Sequence, residues 1–96
     1  MIKMKNYVLT EVQAENIPGV YFPGAENELE NLIFKDRDDE RANPIIEWRV
    51  AGIPQSICRL TLYPEIPLPH YLDLMGNDSD MNTIKQKVEE AFKIIL

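Results

Sequence analysis

The stretch from Asn43 to Pro67 constrains the chain most, because it carries two runs of period-two alternation separated by turn-forming residues. Ile46, Trp48 and Val50 share one parity while Glu47 and Arg49 take the other. Cys58, Leu60 and Leu62 repeat the pattern after Gly52 and Pro54. Such alternation is the signature of half-buried strands, and the spacing predicts a β-hairpin over about residues 44–63.

Its register follows from two physical requirements. Both apolar rows must face the same core, so paired residue numbers sum to an even value. Pairing Trp48 with Cys58 sets Glu47 opposite Arg59, whereas a slip of two sets Arg49 against Arg59. An opposed ion pair contributes about 0.2–1 kcal/mol and opposed like charges destabilise, so the first register is expected. Residues Ala51–Gln55 then form the connection, with Gly52 available for positive φ.

The C-terminal stretch is the clearest helix. Met81, Ile84, Val88, Ala91 and Ile95 recur at three- and four-residue intervals, Phe92 widens the stripe, and lysines and glutamates fill the other faces. A helix over about 81–95, entered at Ser79 or Asp80 and carrying a Glu89–Lys93 pair, is expected to pack on the hairpin's apolar face. Trp48, Leu60, Ile84, Val88 and Phe92 should meet in that core.

Other segments are less patterned. Asn6–Gln13 is rich in strand formers, and Pro18-Gly19 and Pro23-Gly24 bracket a short extended piece. Leu29, Leu32 and Ile33 suggest a short helix within Ala25–Phe34, with a strand over Glu30–Lys35 as the competing reading. Lys35–Asn43 contains no apolar residue but Ala42 and reads as a solvated loop. Pro64, Pro67 and Pro69 imply a polyproline-like crossing, followed by a helical turn over His70–Met75 ending at Gly76. The whole predicts one α+β domain over residues 1–96, with an antiparallel sheet of three to five strands and the terminal helix on one face.

Composition narrows function by exclusion. Sixteen acidic against ten basic residues give a net charge of −6, which disfavours binding to nucleic acid and anionic membranes and favours a partner with a basic surface. The first residues lack the apolar core of a secretory signal, no run approaches the roughly 20 residues of a membrane span, and the single cysteine suits a reducing cytoplasm.

No motif carries recognisable chemistry. Asp36, Asp38, Glu40 and Glu47 match EF-hand positions, but Arg41 occupies the position that needs glycine. Cys58, His70 and Asp73 are the components of a nucleophilic triad, yet the strand pattern turns Cys58 inward. No catalytic residue, cofactor or metal is expected. The reading that remains is a small acidic cytoplasmic protein that binds another protein, as an inhibitor, immunity or phage-type accessory factor does. The expected contacts are Asp36, Asp38, Asp39 and Glu40 in the acidic loop and Tyr63, Glu65, His70 and Tyr71 around the proline-rich exit. An assembly subunit that self-associates through strand edges or its last helix is the alternative, and a small enzyme the third.

Overall fold

The structure is a computed structural model that describes residues 1–63 and 69–96. Its strands are β1 (Ile2–Leu9), β2 (Leu32–Asp38), β3 (Ile45–Val50), β4 (Ile57–Thr61) and β5 (His70–Asn77). Helix α1 spans Glu11–Glu15 and helix α2 spans Met81–Phe92. The strands form one antiparallel sheet in the order β1-β5-β4-β3-β2, so β2 to β5 meander and the first strand closes against the last.

The hairpin β3–β4 has the expected register: Trp48 pairs with Cys58, Ile46 with Leu60 and Glu47 with Arg59. Arg59 Nε donates to Glu47 Oε2 at 2.9 Å on the outer face. Gly52 takes φ +85° in the connection. Buried Ser56 closes that turn, its hydroxyl accepting from the Val50 N–H at 2.9 Å and donating to Ile53 O at 2.6 Å.

One face of the sheet holds the core. Leu32, Ile46, Trp48, Val50, Cys58, Leu60, Leu72 and Leu74 project from the strands, and Met81, Ile84, Val88 and Phe92 of α2 cover them. The Trp48 and Phe92 rings meet edge-on with centroids 5.2 Å apart. The apolar stripe of α2 is thus consumed by its own sheet. The helix is entered at Asp80 without a side-chain cap and ends at Lys93, which takes φ +58°. Glu89 does not pair with Lys93; its carboxylate accepts from the Leu96 N–H at 2.8 Å and folds the terminus back.

The terminal helix stops at Phe92 and not near residue 95, leaving Ile95 exposed and off its apolar stripe, and four further expectations are corrected. The first strand starts at Ile2 and stops at Leu9, because Thr10 and Gln13 form a capping box that opens α1. Ala25–Phe34 is not a helix: a single turn at Ala25–Asn27 leads into β2, as the competing strand reading required. The acidic stretch is only partly loop, since β2 continues to Asp38 through a bulge at Lys35. His70–Met75 is strand β5 and not a helical turn, and Gly76 lies within it. The polyproline reading at Pro64 and Pro67 concerns residues outside those described.

The 10–31 connection runs from one sheet edge to the other and shares the helix side with α2. Ile17 joins the core, and the Trp48 indole N–H donates to Glu26 O at 2.7 Å. Glu26, only 5% exposed, forms an ion pair with Arg37 at 3.3 Å. Arg37 also donates to Gly19 O at 2.8 Å, so one guanidinium ties the connection to β2. No described helix is long and apolar enough to cross a membrane.

Candidate functional site

The opposite face of the sheet carries no helix among the described residues. Its side chains are ordered by the ladder into rows. The polar row runs Asn6, Asp73, Arg59, Glu47 and Asp36 across all five strands. On one side of it Met4, Met75 and Ile57 align, and on the other Val8, Tyr71, Thr61, Ile45 and Asp38. Ile2, Met4 and Val8 are each more than half exposed, at 58%, 56% and 62%.

Two turns end on the same side of this face. The β2–β3 turn and the exit of β4 are joined by the Leu62 N–H donating to Pro44 O at 2.8 Å. The Tyr63 N–H donates to His70 Nδ1 at 3.0 Å, which requires the neutral imidazole with its proton on Nε2. Burial lowers the His70 pKa below its ordinary value, with the Glu11 charge acting against it. The Tyr63 and Tyr71 rings pack edge-on, with centroids 5.1 Å apart. Beside Tyr63 an open hollow of about 300 Å³ is lined by Arg41, Asn43, Arg59, Thr61 and Asp73 among others.

The structure therefore gathers Tyr63, His70 and Tyr71 at the end of the sheet where the acidic turn lies. Glu65 falls outside the described residues. The acidic residues divide into engaged and free groups. Asp39 accepts from Arg37 Nε at 2.7 Å, and Asp38 accepts from the Glu40 N–H at 3.1 Å. The Asp39 hydrogen bond is the largest influence raising the Arg37 pKa, with the Asp39 and Glu26 charges adding to it and burial opposing. Asp36 and the Glu40 side chain are exposed and make no ion pair among the described residues.

The triad components do not converge. Cys58 is fully buried and burial alone pushes its thiol pKa up, the opposite of nucleophile activation. His70 lies four residues along β5 from Leu74, the partner of Cys58, a separation of roughly 13 Å. Asp73 points to the other face, where Asn6 donates to its carboxylate. The EF-hand positions are dispersed as well, since Asp36 and Glu47 are directly opposed across β2 and β3.

Sequence reasoning missed Arg41, Arg59, Thr61 and Asp73 as lining residues. Arg59 and Asp73 were legible only as strand or motif components, and their convergence needed the β4–β5 pairing. No sequence signal separated buried Glu26 from its exposed neighbours. The sequence matches no family model, and no curated protein or solved structure shows significant similarity to the chain.

Proposed function

We propose that the protein is a small protein-binding module whose contact surface is the Tyr63–Tyr71 end of the uncovered sheet face. The observation that supports this reading is convergence: the acidic turn, the aromatic pair and the hollow come from separate stretches of sequence and share one end of one open face. Tyrosine pairs anchor interfaces because a rigid ring buries a large area at little entropic cost and its hydroxyl still finds a partner. Asp36 and Glu40 at the rim favour a partner with basic groups, while Arg41 and Arg59 in the hollow suit an inserted acidic or carbonyl-bearing side chain.

Affinity capture from the native host extract tests the reading when wild type is run beside three folded variants: Tyr71→Ala, Tyr63→Ala and the double reversal Asp36→Lys with Glu40→Lys. A partner held by wild type should be released by either tyrosine change, each weakening affinity about 30-fold. The double reversal should weaken capture and reduce its salt sensitivity. Capture that survives all three changes would refute this contact surface.

A further inference from the structure

The two edges of the sheet are built differently. The β2 edge is broken by the bulge at Lys35 and carries Lys35, Asp36, Arg37 and Asp38, a common way of discouraging strand addition. The β1 edge has an unbroken register over all eight residues, Ile2 opposite Asn77 through Leu9 opposite His70. No described strand pairs with its outer side.

The hydrogen-bond phase shows which backbone groups that edge presents. The Asp78 N–H donates to Met1 O at 3.0 Å, which makes Met1 and Asp78 a directly bonded pair of the antiparallel ladder. Bonded pairs alternate along such a ladder. Lys3, Lys5, Tyr7 and Leu9 therefore spend their backbone groups on β5, and Ile2, Met4, Asn6 and Val8 direct theirs outward. The same four residues place their side chains on the uncovered face. Lys3 and Lys5 stand on the helix side, exposed and without an ion pair among the described residues.

We propose that β1 is a strand-addition site for an extended segment of another protein in which apolar and acidic residues alternate. The incoming strand takes its main-chain hydrogen bonds from Ile2, Met4, Asn6 and Val8. Its apolar residues extend the row begun by Met4 and Met75 on the open face. Its acidic residues lie opposite Lys3 and Lys5 at non-bonded positions, where paired Cα atoms approach to about 4.5 Å. A second copy of this chain fits poorly, since two β1 strands bring four lysines into one seam. The Val8 end of this edge adjoins Tyr71, but Lys3, Met4 and Lys5 pair with Gly76, Met75 and Leu74 at the other end of β1, so they can be mutated without altering the Tyr63–Tyr71 end.

The test uses labelled eight-residue peptides in fluorescence anisotropy at low salt: alternating valine and glutamate, alternating valine and lysine, and the acidic peptide N-methylated at alternate residues. The acidic peptide should bind, and its lysine counterpart should bind roughly tenfold more weakly or not at all. Lys3→Glu with Lys5→Glu should reverse that order, and one of the two N-methylation phases should abolish binding. Met4→Pro removes an outward N–H that the native ladder does not use, so the variant should fold and lose the peptide. Equal binding of both charge types, no binding of the acidic peptide, or indifference to both N-methylation phases would overturn the proposal. So would a concentration-dependent dimer of wild type that Met4→Pro dissolves.

Discussion

At the candidate site, His70 makes a hydrogen bond that depends on the protonation state of its imidazole. Its Nδ1 accepts from the Tyr63 N–H, and the imidazolium has no lone pair there. Because burial holds the folded-state pKa below the ordinary value of 6.5, protonation favours the unfolded chain. The stabilisation is whole above that ordinary value and is lost as pH falls through the folded one. His70→Asn supplies an amide oxygen near the same position and does not titrate. The Tm of wild type should therefore fall relative to His70→Asn as the pH is lowered below about 6.5, and NMR titration should place the His70 pKa beneath that value. Parallel Tm profiles for the two proteins would show that the bond is not coupled to the imidazole charge.

At the level of elements, the contact between β5 and α2 is decided by a missing side chain. A Cβ on Gly76 would overlap Ile84 Cδ1, so the Ile84 side chain can lie over the strand in its present rotamer only because position 76 is glycine. Gly76→Ala should cost about 1–3 kcal/mol by overpacking, measured by urea unfolding. Ile84→Val removes the obstructing methyl, so the double variant should recover part of that loss, and strict additivity would place the strain elsewhere. Gly76 also shows why β5 was not legible: glycine after a proline-rich entry reads as punctuation, although Leu72 and Leu74 were there to supply the alternation. The β3–β4 hairpin was legible because parity and the Glu47–Arg59 charges agree on one register. β2 was not, because the bulge at Lys35 reverses parity midway: Leu32 and Phe34 face the core, and beyond the bulge Arg37 does. Three charges flanking Arg37 then resemble a solvated loop. The capping box Thr10–Gln13 was written in the sequence, but the apolar residues around it read equally as strand.

For the whole molecule, the helix-side core is the only one the described residues build, and its closure depends on Trp48. The ring is fully buried on the inner face of β3, meets Phe92 of α2 and donates to Glu26 O in the 10–31 connection. It thus joins sheet, terminal helix and connection, which have no second core to fall back on. The candidate interfaces draw their rigidity from this packing, because Tyr63, Tyr71 and β1 all lie on or beside strands whose inner faces are held by it. Trp48→Ala should cost about 3–5 kcal/mol, against a total of roughly 5–15 kcal/mol for a domain of this kind. At about 4–8 °C per kcal/mol for a domain of this size, Tm should fall by roughly 12 °C or more. In wild type, tryptophan fluorescence and far-ultraviolet circular dichroism should report coincident thermal transitions, as one cooperative unit requires. A fluorescence transition that precedes the loss of secondary structure would mean that the α2 side loosens before the sheet, and the single-core description would then fail.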